Sequence, residues 1–456
     1  MKRRLLLCGC AALLAGCRIP VQPPPQATLV VPPAWRSQVG PGTPVERDWW
    51  QAFADPALDR LVAQALERNT DVRTAQARLQ EYRARVQVAR AAGESTLSVG
   101  FTPTRARVIG PFGTPIDTTS LQGAFQAAYE LDPFGRTANL TEAARLDYAA
   151  QQAALDATAL SVAANTASGY LNLRGLDAQL DLARATLASR QRSLDLARRQ
   201  FEVGYSSRLE LSQAEAEYRA TAAVVPQLER AIAQQENALD ILTGANPGPV
   251  GRGLALARLS APAIQAGLPS ELLRRRPDIA AAERALAAAD ASLAAARDQM
   301  LPSLRLTASL GAYANDLPTL LSSPTKLWSV GGSVLAPLFD AGRLRAQAGI
   351  SASLRDRAVF AYEAAVRNAF ADTENALTAV QRLREQLDEA EARRAATSEV
   401  LRIAHNRYRN GYSSYLEELD AQRNAFSAEN AALQLRAAWL QAHVDLYRAL
   451  GGGWKQ

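Results

Sequence analysis

Glu417 and Asp420 stand three residues apart in 'GYSSYLEELDAQ', a spacing that places both carboxylates on one face of a helix. Glu210 holds the equivalent place in 'GYSSRLELSQAE', while Gln213 stands where Asp420 does. Taken alone, such carboxylates are ordinary solvated helix surface, and the rest of the chain offers them no catalytic company. His405 and His443 are the only histidines. Both lie in helical stretches without a carboxylate or cysteine at ligand spacing and read as helix-surface side chains rather than metal ligands. There is no phosphate-binding loop, no dinucleotide fingerprint and no nucleophile elbow. No catalytic residue, metal or cofactor is expected, so energy for any transport must come from partner proteins.

The three cysteines, Cys8, Cys10 and Cys17, all fall in 'MKRRLLLCGCAALLAGCRIP'. A basic start, a short apolar run and small residues before a cysteine form a secretory signal, too short for a comfortable membrane span. 'LAGC' has the form of a lipobox, which predicts removal of residues 1–16 and lipidation, with palmitate among the acyl chains, at Cys17. Residue 18 is Arg rather than Asp, which directs a bacterial lipoprotein to the outer membrane. Half of the net charge of +6 sits on Lys2, Arg3 and Arg4, so the mature chain has no strong field for nucleic acid. Residues 17–50 are rich in proline and read as an extended tether.

The tetrapeptide 'GYSS' occurs twice, and its glycines, Gly204 and Gly411, are 207 residues apart (411 − 204). Arg136 and Arg343, Gly244 and Gly451, Asp71 and Asp278, and Leu97 and Leu304 share that offset. The chain is therefore an internal duplication, with a first repeat over 51–244, a Gly/Pro-bearing linker over 245–272, a second repeat over 273–451 and a tail over 452–456. Each repeat reads as helix, strand, strand, long helix, helix. Alternating apolar and polar residues predict strands at 95–103, 120–132, 303–313 and 327–338, with Gly/Pro/Asn/Asp-rich loops within each pair. Leu173, Leu180, Leu187, Leu194 and Phe201 recur every seven residues and predict a coiled-coil seam along a helix over 137–203. Their counterparts, with Arg394 as the one polar interruption, lie on a helix over 344–410. At about 1.5 Å per residue each long helix measures about 100 Å. Helices over 208–243 and 414–450 return from the 'GYSS' breaks, and Pro226 is expected to kink or break the first of these.

Four strands cannot close a barrel, and open sheet edges are not tolerated in lipid. The chain must therefore assemble with others. Eight strands make a barrel filled by side chains, whereas twelve enclose a passage.

Several stretches together resemble the outer-membrane efflux proteins, the TolC-like channels, and within them the lipoproteins of RND efflux systems. They are 'WWQAFADPALDRLVAQALERNTDV', 'YELDPFGR', 'LPSELLRRRPDIAAAERAL', 'PLFDAGR' and 'YSSYLEELDAQR', and they span nearly the whole mature chain. The resemblance implies a mainly α fold with a membrane β-barrel. Three chains share one 12-stranded barrel and a long periplasmic α-helical coiled-coil barrel. It implies a passive exit duct for drugs or other small molecules, partnered by a periplasmic membrane-fusion adaptor and an inner-membrane RND transporter. A protein-secretion exit of the same fold and a lipid-anchored coiled-coil scaffold without a pore are the other readings.

The resemblance also assigns residues. Gly204, Tyr205, Ser206 and Ser207, with Gly411, Tyr412, Ser413 and Ser414, become helix–turn–helix tips that meet the adaptor. Glycine supplies the left-handed position and serine the next cap. Glu210, Glu417 and Asp420 line the periplasmic entrance, Leu416 forms an apolar collar, and Tyr408 helps hold the coil closed. Threefold repetition turns each acid into a ring that favours cations. At Ser413, TolC has an arginine that pairs across the gate. Arg407, Arg409 and Arg423 are the candidates to replace it.

Overall fold

The computed structural model describes residues 23, 25, 28–37 and 42–454. The signal segment and Cys17 lie outside them. Two compact units emerge, the first built around residues 79–151 and 281–363, the second around residues 29–78, 152–280 and 364–456.

The first unit holds one four-stranded antiparallel sheet in the order β1-β2-β3-β4, comprising β1 (Thr96–Ile109), β2 (Pro115–Leu131), β3 (Ser303–Ala314) and β4 (Thr325–Leu335). Register makes the two faces of the sheet chemically opposite. One rung aligns Val99, Phe125, Leu310 and Trp328, and another aligns Leu97, Ala127, Ala308 and Val330. Phe101, Tyr129, Leu306 and Val334 extend this exposed apolar face. The alternate rungs carry Ser98, Gln126, Ser309 and Ser329, and Ser309 and Ser329 share a hydrogen bond of 2.8 Å. An apolar exterior and a small, polar interior are the signature of a membrane barrel wall. Among the described residues β1 and β4 each leave one edge unpaired.

The first hairpin is longer than its sequence suggested. Residues 105–119 read as a loop, yet β1 continues past Pro103 to Ile109 and β2 starts at Pro115. Pro103 leaves the register of β1 with β2 uninterrupted, and in β2 proline is the first residue. The reversal is confined to Gly110–Thr114, where Gly113 adopts φ of 78°. The second loop is likewise shortened. β3 reaches Ala314, and Asp316 caps a helical turn at Leu317–Ser322 by accepting from Thr319 N at 2.8 Å.

Numbered in chain order, the helices are α1 (Pro56–Arg68), α2 (Thr70–Ala91), α3 (Arg136–Glu202), α4 (Arg208–Thr243), α5 (Pro269–Arg275), α6 (Pro277–Asp298), α7 (the Leu317–Ser322 turn), α8 (Arg343–Arg409) and α9 (Tyr415–Ala449). Both α3 and α8 are 67 residues long. Among the described residues no helix is long and apolar enough to cross a membrane. Pro226 does not break α4, which runs unbroken from 208 to 243. A proline removes one backbone donor, and the helix tolerates that loss along its length.

In the second unit, Leu173, Leu180, Ile232 and Leu239 form the core between α3 and α4. The described part of the tether is not free. Trp35 Nε1 donates to Gly267 O at 2.9 Å, Ser37 N donates to Glu374 at 2.9 Å, and Thr43 makes a parallel bridge to Ile264. Trp49, Trp50 and Phe53 are buried, with Trp49 stacked on Tyr447 of α9 at 5.0 Å. The expected boundary at residue 50 therefore cuts through one packed aromatic cluster. Asp55 fastens the linker by accepting from Tyr170 Oη at 2.7 Å and from Leu254 N at 3.0 Å. His443 is buried on α9 rather than on a helix surface. Its Nδ1 donates to Trp439 O at 2.8 Å, and burial holds its pKa below the ordinary value.

Candidate functional site: the hairpin tips and the helix bundle behind them

Both 'GYSS' breaks close in the same way. Gly204 and Gly411 adopt φ of 77° and 76°. Tyr205 N donates to Gln200 O at 2.7 Å and Gly204 N to Phe201 O at 3.0 Å; Tyr412 N donates to Arg407 O at 2.9 Å and Gly411 N to Tyr408 O at 3.0 Å. This pair of bonds is the Schellman end of a helix, which needs a left-handed residue. Nothing lies within 4 Å of where a Cβ would sit on either glycine, so the requirement is conformational rather than steric.

The next helices start differently in the two copies. Ser207 caps α4 by accepting from Glu210 N at 3.2 Å, whereas Ser414 precedes α9 without a side-chain bond. Ser413 Oγ is buried without a partner among the described residues, and Ser206 makes only a long 3.5 Å contact to Ala197 O. At the turns Tyr205 is 88 % exposed and Tyr412 77 % exposed. Val203 and Leu209 are exposed beside them.

Behind the turns α3, α4, α8 and α9 share one core. Leu194, Ala197, Ala214, Tyr415 and Leu419 are buried together, and Leu211, Tyr218 and Tyr408 pack against them. Tyr408 Oη donates to Gln200 Oε1 at 3.0 Å, which ties α8 to α3. The rings of Tyr408 and Tyr415 lie 5.5 Å apart. Burial pushes both phenols up to about 12, reinforced by the charges of Glu210 and Glu418 for Tyr408 and of Glu418 for Tyr415. Both therefore stay neutral hydrogen-bonding groups across the physiological range.

The residues expected at a gate thus divide into two sets. Tyr408 turns into the bundle. Leu416, at 59 % exposure, is turned to solvent with Glu417 and Asp420. Glu417 is 3.5 Å from Arg407, and Asp420 accepts from Asn424 at 3.0 Å. Glu210 is half-buried, close enough to Tyr408 to perturb it.

Buried charges carry the strongest bonds here, and the sequence reading missed them. Glu217 of α4 accepts from Arg190 of α3 and from Arg423 of α9, the latter through Nε at 2.7 Å. Arg190 Nη1 also donates to Glu217 O at 3.1 Å. The Arg190 and Glu217 side chains are 6 % and 10 % exposed, that of Arg423 55 %. Burial alone raises the Glu217 pKa, but the bonds from Arg423 and Arg190 outweigh it and hold the carboxyl below its ordinary value. Glu418, also buried, lies 2.8 Å from His405 Nδ1 and accepts from Gln422 at 3.0 Å. His405 is therefore paired across helices, which its sequence spacing gave no reason to expect. One signal was readable. Arg190 falls on the same stripe as Leu187 and Leu194, and Glu418 on that of Tyr415 and Leu419. A charge on a buried stripe requires a partner.

Of the arginines left open as replacements for a cross-gate pair, Arg423 bonds Glu217 and Arg407 faces Glu417. Arg409 has no ion pair among the described residues.

Two segments, residues 61–245 and 268–452, match the family model for outer membrane efflux proteins, and their starts are again 207 residues apart (268 − 61). The chain is 35% identical over 466 residues to the toluene efflux pump outer membrane protein TtgC of Pseudomonas putida, covering 99% of this chain and 96% of that protein. It is 33% identical over 410 residues to the cation efflux system protein CusC of Escherichia coli, covering 90% and 88%. The crystal structure of the open state of the Neisseria gonorrhoeae MtrE outer membrane channel superposes with a TM-score of 0.87. That comparison has 34% identity and covers 96% of this chain and 98% of that one. With a sheet that is apolar outside and polar inside, two 67-residue helices and paired hairpin tips, the chain belongs to the outer membrane efflux protein family.

Proposed function

We propose that this protein is the exit duct of a tripartite efflux pump. It would conduct small toxic molecules passively from an inner-membrane RND transporter and a periplasmic adaptor to the cell exterior. The observation that carries the reading is the sheet. Four strands with opposite faces and two edges unpaired among the described residues can close only with other chains, and three copies would make the 12-stranded barrel that the family resemblance implies. The working assembly is thus a homotrimer held at the outer membrane, with a lipid at Cys17 as a second anchor.

The tips are the adaptor-docking surface. Tyr205, Tyr412, Val203 and Leu209 present apolar area at turns that the bundle core holds rigid. Exposed aromatic side chains on a stiff support are what a helical hairpin partner needs. Glu210, Glu417 and Asp420, with the Leu416 collar, line the entrance, and Tyr408 with Gln200 and the Glu217 bonds keep it narrow.

Docking is testable by cysteine cross-linking, since the mature chain retains a single native cysteine, the lipidated Cys17. Tyr205→Cys and Tyr412→Cys are expected to capture the adaptor with a short thiol–amine cross-linker in cells, while Leu321→Cys on the α7 turn captures none. Equal capture at all three positions removes the docking assignment.

A further inference from the structure

The inward face of the sheet carries two charged side chains within the four strands, Glu130 of β2 and Arg305 of β3, and register sets them directly opposite one another. Cross-strand partners of opposite charge ordinarily pair. Here they do not. Glu130 Oε1 accepts from Arg136 Nη2 at 2.6 Å, at the first residue of α3. Among the described residues the Arg305 side chain has neither a hydrogen bond nor an ion pair. Besides Glu130, which Arg136 already engages, its neighbours on the same face are Ser303, Thr307, Ser309 and Ser333, all uncharged.

Arg305 lines a cavity of about 600 Å³ where β2, β3 and β4 meet the starts of α3 and α8. The acids on that wall are already engaged. Asp132 accepts from Thr137 Oγ1 at 2.6 Å and Ala138 N at 2.9 Å, and Asp298 accepts from Asn139 Nδ2 at 2.8 Å. Arg343 on the same wall is close enough to Asp340 to be attracted by it. The Arg305 guanidinium is thus an exposed charge on the cavity lining without a side-chain partner among the described residues.

We propose that Arg305 is a selectivity-determining residue of the conduit, a transient contact for carboxylate, sulfonate, phosphate or halide groups passing the helix end of the barrel. A guanidinium suits this task because its planar fork meets oxyanions bidentately and stays charged at any physiological pH. In a trimer it recurs three times at one level of the lumen, a basic band distinct from the carboxylates of the hairpin tips. Small anions are slowed less at that level than the acidic entrance alone implies.

The inference rests on the channel reading, and one experiment separates the two. Single channels are recorded in planar bilayers across a potassium chloride gradient for wild type, Arg305→Gln and Arg305→Lys. Three unit charges about 10 Å from the pore axis, screened at 0.1 M salt, shift the occupancy of cation and anion by about twofold each in opposite directions, and so change the cation-to-anion ratio by about fourfold to fivefold. Arg305→Gln is therefore expected to raise the potassium-to-chloride permeability ratio by about that factor, and Arg305→Lys to leave it near wild type. Trimers checked by heat modifiability exclude misfolding as the cause. An unchanged ratio in Arg305→Gln overturns the role of Arg305 while the channel stands. Absence of conductance in wild type overturns the channel reading and this inference with it.

Discussion

Glu217→Ala is expected to loosen the hairpin tips more than any other single change and to raise the conductance of the resting channel. Glu217 joins three helices, because Arg190 reaches it from α3 and Arg423 from α9. Deleting it leaves the Arg190 guanidinium buried and charged with no carboxylate beside it, and Arg190 Nε already lacks a partner among the described residues. Breaking one side of a buried pair typically costs about 3–5 kcal/mol. Arg423→Ala costs far less, about 1 kcal/mol or below, because the Arg423 side chain is largely in water. The order of effects is the diagnostic. Hydrogen exchange of α4 and α9 near the tips, together with the mean resting conductance, should change strongly in Glu217→Ala and weakly in Arg423→Ala. Equal effects contradict the burial argument.

The same bond gives a pH dependence of definite sign. The Glu217 carboxyl is held below its ordinary value in the folded chain. Its contribution is therefore complete above the ordinary glutamate range and is lost as pH falls through the depressed value, where protonation removes both arginine bonds.

Glu417→Ala combined with Asp420→Ala is the second large effect. In a trimer these two positions place six carboxylates around one aperture. Rings of acids concentrate cations and repel anions. Both charges are partly offset, since Arg407 stands 3.5 Å from Glu417, and Asp420, which accepts from Asn424, lies within electrostatic reach of Arg423. Loss of both is expected to lower the potassium-to-chloride permeability ratio severalfold, on the order of 1 kcal/mol in relative occupancy, and to raise conductance if the acids hold ions in the aperture. Unchanged conductance and unchanged ion preference show that the entrance lies elsewhere.

Much of this was readable from the residue order. The 207-residue offset exposed the duplication because aligned turns and caps must recur where a fold is copied. The seven-residue spacing of leucines exposed the long helices because a coiled-coil seam must repeat at that period. Alternation located the strands because register ties every second side chain to one face. What failed was a matter of context. The strand expected over 95–103 ends at Pro103, yet β1 continues to Ile109 with its pairing to β2 intact. The proline-rich tether reads as free, yet Trp35, Ser37 and Thr43 dock it through contacts more than 200 residues distant in sequence. His405 and Glu418 lie on different helices, and Glu217 meets Arg190 across a turn, so no local spacing announces either pair. Tyr415 stands where the first copy has Arg208, and it is a buried aromatic of the tip core.

As the exit duct proposed above, the assembled chains enclose a water-filled passage through the outer membrane. The most direct measurement is single-channel recording of the purified wild-type trimer in a planar lipid bilayer. The expected result is discrete, uniform conductance steps with a preference for cations. Stable, membrane-inserted trimers that carry no current contradict it.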